Sequence, residues 1–195
     1  MRYGAEHKQR THDKVVKAAA DAIRLHGPDK IGVAGLMSKV GLTHGGFYAH
    51  FKSKDELIAE AIDHMFDERY ETFRKCFEGV TPAEGMGQYI ELYLSTRHRD
   101  RRDKGCPLVS LSGDVARLPL LARKRFEAGV ARLVDAIAEV LMAMGQTDAE
   151  TLAASVVSEM VGAVALSRAV PHAALAEQLL AASRGGIKKR LGLTA

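Results

Sequence analysis

The chain of 195 residues is 47% hydrophobic, ordinary for a globular protein and enough to fill the core of one large or two small domains. Its N-terminus is polar and no apolar run approaches the roughly 20 residues of a bilayer span, so neither a secretory leader nor a membrane anchor is expected. Cys76 and Cys106 lie far apart and fit no zinc spacing, so the expected protein is cytoplasmic, with reduced thiols, no metal and no cofactor.

The net charge of +4 is unevenly placed. Residues 1–54 carry ten Lys/Arg against four Asp/Glu, whereas residues 55–195 carry eighteen against twenty. A basic first quarter on a slightly acidic body suits contact with an anionic surface, although a solvated basic face has the same composition.

The chain reads as all-α, because no sustained period-2 alternation of β-branched residues occurs. A first helix spans about Thr11–His26, with Val15, Val16, Ala19, Ala22, Ile23 and His26 on one face and Gly27–Pro28 as its stop. A short helix over about Val33–Val40, a turn at Gly41 and a helix over about His44–Phe51 follow. A long helix from Lys54 to about Phe77 places Leu57, Ile58, Ala61, Met65 and Phe66 on one face. Thr81–Pro82 opens a fifth helix ending near Thr96, and Arg97–Gly105 is expected as a charged, solvated loop.

Cys106–Ala116, Leu118–Ala143, Thr147–Val170 and Pro171–Leu191 complete about nine helices. The helix after Leu118 aligns Leu121, Phe126, Val130, Leu133, Val134, Ile137 and Leu141 as apolar positions. Ser53 with Glu56, Thr81 with Glu84 and Thr147 with Glu150 have the capping-box pattern, in which a hydroxyl and a carboxylate satisfy the first free amides. The last two helices are crowded with Ala, Ser and Gly, which lets helices approach closely, in a helix–helix interface or in a tight internal core.

The stretch THGGFYAHFKSK, Thr43–Lys54, carries the strongest functional signal. Adjacent Gly45 and Gly46 each cost a helix about 1 kcal/mol relative to Ala, so something must offset them. Close approach of a partner to the backbone is the usual reason. Two histidines, two lysines and a tyrosine in the same stretch suit a polyanion.

Val33–Phe51 has the helix-turn-helix pattern. Leu36 and Val40 face inward, Gly41 takes the left-handed turn, Thr43 caps the second helix, and Phe47 and Phe51 return to the core. The exposed face then carries His44, Gly45, Tyr48 and His50, with Lys52 and Lys54 at the far end. The Thr43 hydroxyl stands where a phosphate would be favoured.

Residues from about Arg10 to Ile62 resemble the DNA-binding domain of the TetR family of bacterial transcriptional regulators. The resemblance rests on Ala19, Ala20, Gly27, Gly41, Leu42, Gly46, Phe47, Tyr48, His50, Phe51, Ser53, Lys54 and Leu57, above all on GGFYAHFKSKDELI. It implies a three-helix DNA-binding domain over residues 1–53 and a helical effector-binding and dimerisation domain over 54–195. It also implies a homodimer through the last two helices, an operator in double-stranded DNA and a small-molecule effector. By the resemblance, Thr43, Tyr48 and Lys54 touch phosphates, His44 and Gly45 face base edges, Gly46 allows close packing or approach, and His50 also falls near DNA.

The chain departs from the family at Ile31–Gly32, where a Thr/Ser pair usually caps the second helix. Affinity is therefore expected to lean on Lys8, Arg10 and Lys14 of the first helix.

For an effector pocket the candidates are Met65, Tyr89, Tyr93 and Met160, each of which also reads as core. Cys106 follows Gly105 near a helix start and three cations, conditions that favour a thiolate. Its segment KGCPLVSLSGDVA is similar to one in family members that sense electrophiles or oxidants; a buried structural cysteine is the other reading. An enzyme is not expected, since Ser110–Ser112–Gly113 lacks the glycine of a nucleophile elbow and no zinc motif occurs. The expected function is a ligand-responsive repressor, against the alternative of a helical interaction module without specific DNA binding.

Overall fold

The structure, a computed structural model, describes residues 2–193. Among the described residues there are nine α-helices, three short 3-10 helices and no strands. The α-helices are α1 Arg2–His26, α2 Val33–Lys39, α3 Lys54–Lys75, α4 Pro82–Tyr93, α5 Thr96–Asp100, α6 Pro107–Leu111, α7 Leu120–Ala143, α8 Ala149–Ala169 and α9 Ala173–Arg190. One 3-10 helix, His44–Ala49, occupies the place of the expected third helix; the others are Arg102–Lys104 and Val115–Arg117.

The head comprises α1, α2 and the His44–Ala49 helix. Val15, Val16, Ala19, Ala20 and Ile23 of α1 bury one stripe against Leu36, Met37, Phe47 and Phe51. His26, expected on that stripe, is exposed. Gly41 closes the α2 turn with φ +79°, a conformation in which any Cβ would be strained. Gly27 ends α1 in the same way at φ +82°.

Helix α3 links head to body, packing on α1 with one end and α7 along its length. Its start is capped by Ser53, whose hydroxyl accepts the Glu56 amide at 3.1 Å. The reciprocal arm differs from a standard box, because Glu56 accepts the amide of Lys52. Thr81 and Glu84 form the complete box at α4. The expected third box is absent: α8 begins at Ala149 with Asp148 at its cap and no side-chain capping bond, so Thr147 lies outside the helix.

In the body, α7, α8 and α9 pack successively, and α7 approaches α3 closely at Gly129. A Cβ at Gly129 would stand 2.2 Å from the Phe66 ring, so the absence of a side chain sets the α3–α7 distance. Leu133, Ile137 and Leu141 of α7 are buried as expected, but Leu121 is exposed. Helix α8 qualifies the membrane expectation: by length and composition alone it is apolar enough to cross a bilayer. In the fold, its Val156, Val157, Met160 and Val164 are buried between neighbouring helices.

Arg97–Gly105 keeps Arg97, Asp100, Arg101, Arg102 and Lys104 exposed, as expected from its charge, but it is not an open loop. It folds into α5 and a 3-10 turn, with His98 buried beneath it. Two remote arginines bind the carbonyls that would otherwise be orphaned at these helix ends. Arg168 of α8 donates to the carbonyls of His98 and Arg99, both at 2.9 Å, and Arg184 of α9 to that of Leu94 at 3.0 Å. A run that reads as solvated charge is therefore held by partners far away in sequence.

Candidate functional site

The recognition element is built on two anchors. Phe47 and Phe51 stack at 5.3 Å between ring centroids and are buried, which fixes the roll of the His44–Ala49 helix. Thr43 caps it, accepting the Gly46 amide at 3.3 Å. Tyr48 is thereby turned outward with 67% of its surface exposed, and His44 and Gly45 are exposed beside it.

Neither glycine is needed by the fold. Both have ordinary negative φ, a Cβ on Gly45 would meet nothing within 4 Å, and one on Gly46 would make only ordinary contacts. Gly46 is half-buried and its Cβ position faces Met37 and the Thr43 cap, whereas that of Gly45 is open. The free space lies on the outer surface.

His50 is not on the exposed face. It is half-buried, with its Nδ1 enclosed and unpartnered, 6.2 Å from the His12 ring. Burial, with His12 and Lys8 nearby, pushes its pKa down. This places Lys8 of α1 beside the end of the recognition element. His12 stacks on Phe51 at 4.5 Å and reaches Glu60 at 3.0 Å, so it serves as a strut between head and linker. Lys8, Arg10, Lys14 and Lys52 are exposed. Lys54 is half-buried and donates to the Asp29 carbonyl at 3.4 Å, a weak bond that ties α3 to the loop before α2. Gly32 caps α2 without any side-chain bond.

In the body, Met65, Tyr89, Tyr93, Cys106 and Met160 are all buried. Met65 lines a hollow of about 280 Å³ with Arg24, Glu68, Arg69 and Lys104. Met160 is core. Tyr89, Tyr93 and Cys106 instead belong to a polar cluster around Arg69 and His98, two residues that no sequence motif marks.

Within that cluster His98 donates from Nδ1 to the Tyr93 carbonyl at 2.7 Å, and its Nε2 accepts the Cys106 amide at 3.1 Å. Burial, then the charges of Arg69 and Arg168, push its pKa down to about 3, so the ring is neutral and of one tautomer at neutral pH. Arg69 lies 3.4 Å from the same Nε2 and 5.4 Å from the centre of the Tyr93 ring. No carboxylate is within 4.0 Å of Arg69 among the described residues, and its Nε makes no hydrogen bond. The Tyr89 hydroxyl approaches Arg69, and that of Tyr93 approaches Cys106, without reaching hydrogen-bond geometry. Burial pushes both phenol pKa values up, so both remain donors. An uncompensated buried charge costs several kcal/mol.

The cluster abuts the head. Arg24 of α1 donates to Glu68 at 2.6 Å and to the Asp103 carbonyl at 3.4 Å, and Lys104 meets Asp21 of α1 at 2.6 Å. The Arg102–Lys104 turn thus touches α1 on one side and the Arg69 cluster on the other.

A helix-turn-helix head on a larger all-helical body is the architecture of a ligand-responsive DNA-binding regulator. The model for the N-terminal domain of bacterial regulatory proteins of the tetR family matches residues 15–61, and that for the LmrA/YxaF-like transcriptional regulator C-terminal domain matches residues 82–181. The chain belongs to the TetR family of transcriptional regulators. No curated protein sequence matches it.

Among solved structures, the reduced form of E. coli NemR is similar in fold, with a TM-score of 0.82, 14% identity, and coverage of 92% of this chain and 96% of that one. A TetR regulator from Chloroflexus aurantiacus has a TM-score of 0.77 and 24% identity, covering 97% and 98%. One from Agrobacterium tumefaciens has a TM-score of 0.78 and 20% identity, covering 92% and 98%. The family is one of transcriptional regulators.

Proposed function

We propose that this chain is a cytoplasmic homodimeric repressor that leaves a palindromic operator when a small effector binds its body. The observation that carries the reading is the glycine pair of the recognition element: the fold needs neither glycine, and both border the exposed face beside Tyr48. His44 and Gly45 face base edges; Thr43, Tyr48 and Lys54 hold phosphates; Lys52 and the exposed Lys8, Arg10 and Lys14 extend the cationic surface. His50 acts by seating the element and not by direct readout. The division into head and body falls at residues 53 and 54, where Ser53 caps the linker.

The second copy pairs through α8 and α9. Their outward faces carry Ser155, Ser158, Ala165 and Leu166 on α8, and Leu175, Ala182 and Gly185 on α9. Leu166 and Leu175 are 56% and 43% exposed, and a second copy laid on this face would bury both. Two heads so joined would dock on successive major grooves about 34–36 Å apart. A shift of the Arg102–Lys104 turn would move α1 through Asp21 and Arg24 and break that spacing. A coupling of about 1–3 kcal/mol suffices.

A small molecule fits the hollows beside Arg69 better than a thiol-reactive effector does. Cys106 is fully buried, so a reagent would first have to open the segment between α5 and α6.

Selection of bound DNA from a random pool, then gel shifts at rising salt, tests the reading. A palindromic consensus bound by a dimer supports it. Salt-sensitive binding without sequence preference points to the interaction-module alternative.

A further inference from the structure

The effector reading leaves the chemical class of the effector open, and the Arg69 cluster narrows it. Three buried donors of the cluster have no hydrogen-bond partner: Arg69 Nε and the hydroxyls of Tyr89 and Tyr93. Arg69 is 7% exposed. The nearby carboxylates are committed elsewhere, Glu68 to Arg24 and Glu71 to Arg74 and Lys75. His98 cannot supply the missing charge, because its neutral ring is used on both nitrogens.

Two hollows adjoin Arg69, of about 280 and 320 Å³, and both include Thr72 and Lys104. The larger is lined by Leu92, Arg97, His98 and Arg101 as well, with no acidic side chain in its wall. Arg97 forms no ion pair among the described residues. The mouth is therefore cationic, and the buried Arg69 guanidinium, without a carboxylate partner, forms part of its wall.

We propose that the body binds a small organic monocarboxylate, with its carboxylate on Arg69 and its apolar part in the hollow toward Leu92. One buried guanidinium matches one negative charge, and inorganic phosphate offers no apolar part to fill the hollow. Binding would replace an uncompensated cation by an ion pair and draw on Lys104 of the Arg102–Lys104 turn that touches α1. This proposal rests on the effector reading above, and the test separates the two.

The full-length protein is titrated without DNA, by calorimetry and thermal unfolding, with benzoate and hexanoate, their amides benzamide and hexanamide, and inorganic phosphate. The expected result is saturable binding of the carboxylates, with affinities at least about tenfold above those of the amides and phosphate. Arg69→Met is expected to abolish that preference while raising the Tm of the free protein, because it removes the buried charge. Equal binding of acid and amide, preference for phosphate, or undiminished carboxylate binding by Arg69→Met would each overturn the proposal. A fall in Tm for Arg69→Met would do so too, by showing that the guanidinium is already compensated. Operator release is then measured separately: carboxylate binding without release refutes the effector reading alone.

Discussion

Arg24, in the last turn of α1, donates to Glu68 Oε2 of α3 at 2.6 Å, one residue before the buried Arg69. The DNA-binding head and the polar cluster of the body are thus joined by consecutive residues of a single helix. Glu68 faces the head and Arg69 the interior, so rotation or bending of α3 cannot alter one environment without the other.

Replacing Glu68 by Gln should uncouple the two. Arg24 is buried and would keep Asp21, at 3.3 Å, as its carboxylate, with only neutral acceptors in the amide oxygen and a carbonyl. A loss of roughly 1–3 kcal/mol in stability is expected for a hydrogen bond to a charged group. Operator affinity should persist, while effector-induced release is blunted. Denaturant unfolding and a gel-shift titration with effector, run on the same preparation, check both halves.

Acid should destabilise the protein in two stages. His98 stays neutral in the fold down to about pH 3, whereas an unfolded histidine takes up a proton near pH 6.5. The unfolded state then holds more protons, so stability is full above about pH 6.5 and falls as pH drops toward 3, by at most about 1.4 kcal/mol per unit. Glu68 follows: His64 and Arg24 hold its carboxyl down to about 2, so its contribution is lost between about pH 4.5 and 2. Urea midpoints at pH 7 and pH 5 should differ more for the wild type than for His98→Gln. Identical differences would rule His98 out as the cause.

Two glycines give opposite outcomes with alanine. At Gly129 the new Cβ meets the Phe66 ring, and overpacking of this kind costs about 1–3 kcal/mol. At Gly87, within α4, the space is open, and the helix should gain about 1 kcal/mol. Thermal melts of the two variants compare a close approach with a mere absence of side chain.

In the head, Gly45→Val should leave the melting temperature within a degree or two of wild type and lower operator affinity, because its added atoms project into open space. Removing the ammonium groups of Lys8 and Lys14 should lower affinity at every sequence and reduce the salt slope by about 0.9 for each phosphate no longer neutralised. Fluorescence anisotropy on a selected operator and a scrambled duplex separates these effects. Equal affinity of Gly45→Val and wild type would remove the backbone approach from the recognition scheme.

Much of the head is legible in the sequence because its determinants are local. Gly41 in a left-handed turn, Thr43 at a cap and Phe47 with Phe51 on one face are all relations within four residues, and each is present in the fold. The all-helical class follows likewise from periodicity and caps. Pattern alone mistakes the recognition element for an α-helix, whereas the six-residue segment, anchored through Phe47, forms a tighter 3-10 turn. Helical spacing puts His50 on the outside, but packing against His12 and Phe51 draws it in.

The chain by itself, then, determined the basic head, the order of the helices and the glycine-bearing surface, because charge, capping and periodicity act between near neighbours. Tertiary structure alone decided that Arg97–Gly105 folds inward, since the groups that hold it, Arg168 and Arg69, lie about 70 and 30 residues from His98. It also decided that Tyr89, Tyr93 and Cys106 surround an unpaired guanidinium. Burial converts ordinary polar residues into an electrostatic demand, and burial is a property of the packed helices, not of any segment read singly.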